Sequence, residues 1–288
     1  GNKYPMDEYR LIRDYQNGEI IFDRRYGSTN TFEKNNYPVG YNLGQSGNTP
    51  SQNLVDAYEM IDGTPFDWNN PEHKSNPYAN RDPRLAMSIL TNNVEFKDRT
   101  IEAWTGGRDG KGVIHATRTG YYIYKFIDPN LDLLQNRTSV HHWVIMRYAE
   151  ILLSYAEAMN EAYGPTGNVG YRLNAVRALN QVRNRVGVEM PAVPTAISKE
   201  ELREKIRNER RVELAFEDHR FWDVRRWMIA PETLGAPLRG VEITKISDEE
   251  FEYKPIEVEK RTFEPKMYLY PIPQADLNTT GWVQNPLW

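Results

Sequence analysis

The strongest constraint on the fold is a periodic apolar pattern that begins shortly after residue 141. In the segment WVIMRYAEILLSYAEAMNEAYG, apolar residues recur at every third or fourth position: Val144, Tyr148, Ile151, Leu152, Tyr155, Met159 and Ala162. This spacing predicts a long amphipathic helix that ends at Gly164. A second stripe predicts another helix, which ends at Gly187, and it consists of Leu173, Val176, Leu179, Val182 and Val186. We expect the two helices to form an antiparallel hairpin around the turn at 164–170.

A third helix is predicted to begin at a capping box. Ser198 precedes Glu201 by three residues, the spacing at which the two side chains accept hydrogen bonds from each other's backbone N–H groups. We expect this helix to run through NERRVELAFEDHRFWDVRRW, residues 208–227. Trp222 and Trp227 in this stretch are predicted to pack into the core, because they lie among other apolar residues on a helix.

The same stretch is rich in acids and raises the question of a catalytic centre. Glu209, Glu213 and Glu217 are each four residues apart, so they form one column on a helix. Glycoside hydrolysis needs two carboxylates that face each other across a substrate, whereas these three point the same way. We therefore interpret the column as a structural, ion-paired frame; docking to a partner protein stays open as an alternative role, and catalysis is least favoured. The arginines expected to pair with it are Arg207, Arg210, Arg211 and Arg220.

Composition excludes several classes of function. The net charge of the 288 residues is −4, so no basic surface indicates binding of nucleic acid. The chain has no cysteine, which excludes disulfides, zinc–thiolate sites and cysteine nucleophiles. No apolar run approaches the ~20 residues of a membrane-spanning helix.

No motif predicts a catalytic residue, a metal site or a cofactor. The segment GGRDGKG, residues 106–112, misses the phosphate-loop spacing by one residue and has Gly112 where a hydroxyl would bind magnesium. His141 and His142 have no third ligand at a metal-binding spacing, so we expect them to lie at a solvated helix start. The nucleophile elbow G-x-S-x-G is absent.

Residues 1–140 have the composition of long loops that carry aromatic side chains in polar surroundings. A short helix is predicted within 50–63, capped by Ser51, and apolar runs at 81–93 and 119–128 favour strands. Sugar rings have flat C–H faces on which aromatic side chains stack, while Asn, Asp and Arg bind the hydroxyls. The residues that we expect to bind a glycan are Arg25, Tyr26, Tyr37, Tyr41, Trp68, Trp104 and Arg108.

Seven segments of the chain, taken in order, resemble one known family. They are PSQNLVDAYEMIDG (50–63), NRDPRL (80–85), TGYYIYKF (119–126), MRYAEILLSYAEAMNE (146–161), ALNQVRNRVGV (178–188), IRNERRVELAFEDHRFWDVRRW (206–227) and the tail LYPIPQADL…QNPLW. Together they resemble the C-terminal portion of the SusD/RagB family, which are surface nutrient-binding lipoproteins of Bacteroidetes.

The resemblance implies a fold and a function. The fold would be mainly α, with tetratricopeptide-like helical pairs, long irregular loops and a few short strands. The protein would bind glycans without catalysis or a cofactor, and deliver them to a TonB-dependent outer-membrane transporter of the SusC type. Peptide capture for a RagA-like transporter is the alternative; a glycoside hydrolase and a helical adaptor are further hypotheses.

We divide the chain into three regions on this basis. Residues 1–140 would be a loop-rich ligand-binding region, 141–230 a helical tetratricopeptide-like scaffold, and 231–288 a C-terminal connection and a tail with one short strand. The chain opens with Gly1 instead of Met, so we expect that a signal peptide and a lipid anchor to the outer membrane belong to the native protein and are absent from this sequence.

Overall fold

Residues 18–288, which the computed structural model describes, fold into helices and two-stranded antiparallel sheets. The helices are α1 (Thr31–Asn36), α2 (Gln52–Val55), α3 (Pro71–Ser75), α4 (Arg84–Ser88), α5 (Tyr148–Tyr163), α6 (Ala175–Arg183), α7 (Lys199–Glu213), α8 (His219–Arg226), α9 (Ala230–Thr233) and α10 (Gln274–Thr280). The strands are β1 (Ile20–Arg25), β2 (Ile89–Leu90), β3 (Glu95–Phe96), β4 (Arg99–Thr100), β5 (Tyr122–Ile123), β6 (His142–Arg147), β7 (Leu238–Lys245) and β8 (Phe251–Glu259). Helices hold 31% of the residues and strands 15%, so the mainly-α fold with a few short strands is confirmed.

The helical hairpin forms, but its first helix begins later than predicted, at Tyr148, and its second helix ends earlier than predicted, at Arg183. Helices α5 and α6 lie side by side, and α7 packs on α5. Residues 143–147 were predicted to be helical, and this is wrong: together with His142 they form β6, which pairs with β1. The β-branched residues Val144 and Ile145 favour a strand, and β1 offers the backbone partners that a helical pattern cannot reveal.

This strand also changes the environment of the two histidines. The predicted solvated helix start is wrong, because His142 is the first residue of β6, and His141 lies just before it with its carbonyl accepting from the backbone N–H of Tyr26. His142 is buried and its Nδ1 lies 2.9 Å from Oδ2 of Asp23, while Nε2 of His141 lies 2.9 Å from Oε1 of Glu33.

The capping box at the start of α7 is confirmed, but the single long helix is not. Ser198 and Glu201 make both reciprocal hydrogen bonds. The helix ends at Glu213, and α8 begins only at His219, after Phe216 and Asp218 adopt left-handed backbone conformations with φ near 64° and 63°. Such conformations are unfavourable for bulky residues, so the surrounding contacts must hold the break in place.

The column of glutamates is buried in the interior of the molecule. Glu209, Glu213 and Glu217 are at most 4% exposed. Together with the five cations that surround them they form what we call the glutamate cluster; these cations are Arg84, Lys125, Arg147, Arg183 and Arg185. The frame interpretation is confirmed, but the expected arginines are wrong, because all five partners come from other parts of the chain.

The contacts of the glutamate cluster link distant segments. Arg84 Nη1 lies 2.5 Å from Glu209 and 2.9 Å from Glu213, so α4 is tied to α7. Arg147 contacts Glu213 at 2.8 Å and Glu217 at 2.7 Å, which ties the end of β6 to the break after α7. Of the arginines predicted for this role, Arg210 instead binds Asp223.

A β-hairpin occupies the region that was predicted to be an irregular connection. Strands β7 and β8 pair antiparallel, with Ile243 opposite Tyr253 and Val241 opposite Pro255. These side chains face a core cluster that also contains aromatics of the upstream loops, such as Tyr121. The alternation along β7 was obscured by Gly240 and by the charged residues at its ends.

Two other predictions near the C-terminus are also wrong. The tail was expected to form a strand, but it forms a 3₁₀ turn at Pro265–Tyr268 followed by α10. Trp222 was expected in the core and is 61% exposed, whereas Trp227 is partly buried with its Nε1 donating to Glu157 at 2.8 Å. Within residues 18–288, no helix is long and apolar enough to cross a membrane.

The glutamate cluster leads to a stability prediction. Glu213→Gln leaves three buried arginine side chains without their shared counter-charge, so we expect it to lower the free energy of unfolding by about 3–5 kcal/mol. Urea denaturation at neutral pH measures this change. Glu204→Gln is the control, because its ion pair with Arg207 is exposed and should contribute no more than about 1 kcal/mol. Equal losses in the two variants would contradict the role of the cluster.

The cluster also predicts how stability depends on pH. Burial alone would raise the pKa of Glu213, but Arg185, Arg147 and Arg84 lower it well below its ordinary value, and Arg147 and Lys125 outweigh burial to lower the pKa of Glu217. A depressed carboxyl pKa contributes stability above the unfolded-state pKa of about 4.3, and that stability is lost as pH falls through the folded-state pKa. We expect the melting temperature of the wild type to fall more steeply on acidification below about pH 4.3 than that of Glu213→Gln. Parallel curves in thermal melts would contradict this.

Candidate functional site

The predicted glycan-binding residues lie at several separate places, and two of them lie at the end of β1. Tyr26 is 45% exposed, and the guanidinium of Arg24 lies 5.1 Å from the centre of its ring. The backbone N–H of Tyr26 donates to His141, so the ribbon fixes its position. The neighbouring Arg25 is exposed and its Nε lies 3.7 Å from Asp23.

Tyr37 and Tyr41 are buried, so the expectation that they are open to a ligand is wrong. The hydroxyl of Tyr37 donates to the backbone carbonyl of Asp128 at 2.5 Å, and that of Tyr41 donates to the carbonyl of Phe96 at 2.7 Å. Both rings pack edge-on against Phe96. Burial raises the pKa of both phenols, which is the effect of placing an ionisable group among apolar neighbours.

Trp104 lies on a loop that is attached to the β7–β8 hairpin. The backbone N–H of Thr105 donates to the carbonyl of Ile243 at 2.9 Å. The indole of Trp104 is partly buried, 5.3 Å from the ring of Phe251, and Nζ of Lys245 lies 4.9 Å from the indole centre. Gly110 allows the loop to close, since a Cβ there would lie 1.7 Å from the carbonyl oxygen of Trp104.

Arg108 lies on the same loop, next to a buried anchor. Its exposed guanidinium binds Glu102 at 2.5 Å. The following residue, Asp109, is buried and binds Arg99, whose guanidinium lies 3.9 Å from the centre of the Tyr41 ring. Tyr41 therefore packs on the buried side of this loop and is not part of its outer surface.

Trp68 is held at the opposite end of the hairpin. Its Nε1 donates to Oδ1 of Asp56 at 3.0 Å, and the ring of Phe66 packs edge-on against it at 5.1 Å. Oδ2 of Asp56 accepts from Arg239, the second residue of β7, at 2.9 Å. The indole is partly buried, with its polar edge satisfied.

The two indoles thus flank one hairpin, Trp104 beside Lys245 and Trp68 beside the ion pair of Arg239. These two strand residues are six positions apart, which corresponds to roughly 20 Å at the usual rise of a strand. Of the predicted residues, Trp68, Trp104 and Arg108 therefore lie on loops that contact the β7–β8 hairpin. Arg25 and Tyr26 lie elsewhere, at the end of the β1–β6 ribbon.

A groove that was not predicted from the sequence lies between α5 and α6. Its volume is about 940 Å³. The lining includes three tyrosines, Tyr148, Tyr155 and Tyr171, with amide side chains such as Asn180. The periodic pattern predicted that Tyr148 and Tyr155 face the core, but Tyr148 is 51% exposed. The apolar stripe on α5 is wider than the surface that α6 covers, so part of the stripe lines the groove.

The described residues contain no group of three His, Asp or Glu side chains that could hold a metal ion. The carboxylates of the glutamate cluster are all paired with cations and inaccessible to a ligand. Exposed and partly exposed aromatic side chains on the loops and in the groove, by contrast, are accessible to a ligand.

Comparisons with known proteins relate this chain to one family throughout. The SusD family model matches residues 18–288. The SusD-like protein P2 of Formosa agariphila is 34% identical over 120 residues, a match that covers 40% of this chain and 22% of the relative.

Solved structures agree over the full chain. A SusD-like protein from Bacteroides fragilis has 30% identity and a TM-score of 0.80, covering 100% of this chain and 58% of its own. A SusD-like carbohydrate binding protein from the same species has 29% identity and a TM-score of 0.78, covering 96% of this chain and 57% of its own. The chain thus spans less than two thirds of the length of these relatives. The family match over residues 18–288 confirms the resemblance seen in the sequence, and the chain belongs to the SusD family.

Proposed function

We propose that this protein binds glycans, without catalysis, through the loops that flank the β7–β8 hairpin. Support at the level of the family comes from the solved relative described as a SusD-like carbohydrate binding protein. The observation that carries the proposal for this chain is the pair of partly exposed indoles, Trp68 and Trp104, each held by contacts to the hairpin.

The chemistry of these two indoles suits sugar recognition. An indole presents a flat apolar face to the C–H groups of a sugar ring, and Arg108 beside Trp104 can donate to hydroxyls. Because Phe251 and the ion pair of Asp56 hold the rings in place, little side-chain entropy is lost when a ligand binds. Such sites depend on few contacts, so we expect individual affinities on the order of millimolar to micromolar.

The absence of catalysis is part of the proposal. Its support is that the densest group of carboxylates, in the glutamate cluster, is engaged in ion pairs that hold the fold together. A hydrolase would need two carboxylates on opposite sides of a sugar, with one of them able to carry a proton.

The setting follows the family. We propose a lipoprotein at the outer-membrane surface that passes glycans to a TonB-dependent SusC-like transporter, on a scaffold in which α5 and α6 form a tetratricopeptide-like pair. Residues 18–140 would supply the ligand-binding loops, and Arg25 and Tyr26 would form a secondary contact for a long ligand. Capture of peptides for a RagA-like transporter is the alternative.

The indole proposal is tested by Trp104→Ala. We expect the variant to bind about tenfold more weakly than the wild type to whichever member of a polysaccharide panel is retained in affinity electrophoresis, since one stacking surface is lost. Trp282→Ala is the matched control, because this tryptophan is 63% exposed in the C-terminal tail and should leave affinity unchanged.

Three outcomes would overturn parts of the proposal. Equal affinity of Trp104→Ala, Trp68→Ala and the wild type would exclude the indoles as the site. Retention of peptides but of no polysaccharide would favour peptide capture. Release of reducing ends from the retained polysaccharide, abolished by a carboxylate substitution, would exclude a purely binding function.

A further inference from the structure

A cavity of about 590 Å³ is lined in part by Asp56, the hydrogen-bond partner of Trp68, and carries a surplus of positive charge. It is bounded by α2, the junction of α7 and α8, α9 and the start of β7. Four arginines line it: Arg211, Arg220, Arg239 and Arg261. The only acids in the lining are Asp56 and Glu232.

The two acids leave most of this charge uncompensated. Oδ2 of Asp56 is bound to Arg239, and its Oδ1 accepts from Trp68 and from Gln52. Glu232 is exposed, and it forms no ion pair with any residue in the described part of the chain. The ion pair between Asp56 and Arg239 is therefore the only one among the described residues that line this cavity and its four guanidinium groups.

The other three arginines have donors to spare. Arg211 donates from Nη2 to the backbone carbonyl of Asn53 at 2.5 Å, and Arg261 donates to the carbonyls of Ala236 and Thr233. These neutral acceptors satisfy hydrogen bonds but do not cancel charge. Arg220 has no hydrogen bond or ion pair within residues 18–288, so all five of its N–H groups are available.

The cavity arginines lie close enough to repel one another. Burial, with Arg211 and Arg207 adding to it, lowers the pKa of Arg220 to about 10. Burial also lowers the pKa of Arg211. The charges of Arg239 and Arg261 lower this pKa further, whereas the carboxylate of Asp56 raises it. The guanidinium groups stay charged at neutral pH, and an anion in the cavity would relieve their repulsion.

We propose that this cavity binds the oxyanion group, a carboxylate or a sulfate ester, of an acidic glycan. A guanidinium group holds two parallel N–H groups at a spacing that fits two oxygens of a carboxylate or of a sulfate ester, and it binds them by paired, charge-assisted hydrogen bonds. The protein carries a net charge of −4, so an acidic glycan is repelled by the molecule as a whole and needs a local site such as this one.

The cavity is adjacent to the proposed glycan site, because Asp56 contacts residues of both. Trp68 and Arg239 bind the two oxygens of the same Asp56 carboxylate, so a sugar stacked on Trp68 would present its substituent to the arginines. The inference rests on the proposed function in this respect, and it defines the class of glycan that the site prefers.

The test compares oligogalacturonate with its methyl-esterified form, which keeps the sugar rings and removes the charge. In titration calorimetry we expect the wild type to bind the acidic form at least about tenfold more tightly. Arg220→Gln should abolish this preference while leaving the affinity for the esterified form unchanged. Arg118→Gln removes the same charge from an exposed site, 69% accessible, and should preserve the preference.

Folding of the variant is controlled by its melting temperature. Because Arg220 has no ion pair to lose within the described residues, Arg220→Gln should melt at or above the temperature of the wild type. Addition of inorganic sulfate should raise the melting temperature of the wild type more than that of Arg220→Gln.

The outcomes separate this inference from the proposed function. Equal binding of both forms by the wild type, or an unchanged preference in Arg220→Gln, overturns the anion site and leaves glycan binding by the indoles intact. Stabilisation by sulfate without any binding of the acidic glycan identifies a site for free anions and overturns the inference. Acidic binding that depends on Arg220 but is unchanged in both Trp68→Ala and Trp104→Ala supports the anion site and contradicts the indole site.

Discussion

The fold depends on the burial of three glutamates among five cations. Ions inside a protein are costly unless each has well-placed partners, so the glutamate cluster requires α4, β6, α6 and α7 to meet in one arrangement. The apolar cores on either side of it need no such alignment, because apolar contacts have no directional requirement. The cluster therefore determines how the aromatic loop region is positioned against the helices.

Local features of the sequence predicted the local parts of the structure. The spacing of apolar residues gave α5 and α6, and the Ser198–Glu201 pair gave the start of α7, because both signals act within one or two turns of helix. The charge column was interpreted correctly as structural, yet its partners were wrong: Arg84 is 125 residues from Glu209, and helical spacing contains no information about that distance. The same limit explains β6 and the β7–β8 hairpin, which depend on partner strands elsewhere.

The residues of the candidate site, too, were predicted only in part from the sequence. Composition identified Trp68, Trp104 and Arg108 as aromatic and polar groups in loops; in the structure Arg108 is exposed, and the two indoles are partly buried. Composition could not distinguish these three residues from Tyr37 and Tyr41, which are also surrounded by polar residues in the sequence. The hydroxyls of these two tyrosines donate to backbone carbonyls in the core. A tyrosine can satisfy its hydroxyl inside the protein as easily as outside, so its neighbours in sequence do not determine its burial. The arginine-lined cavity was missed because its four guanidinium groups come from elements that meet only in three dimensions.

The long sequence separations within the glutamate cluster have a kinetic consequence. Glu213 binds Arg84 across 129 residues and Arg147 across 66 residues, so these ion pairs close only after most of the chain has come together. Contacts of this kind slow folding, because loop entropy must be lost before the contacts form. During synthesis the arginines of α4 and β6 leave the ribosome long before their glutamates, and they must stay hydrated until α7 follows. We therefore expect the charges of the glutamate cluster to be among the last parts of the molecule to lose their water during folding.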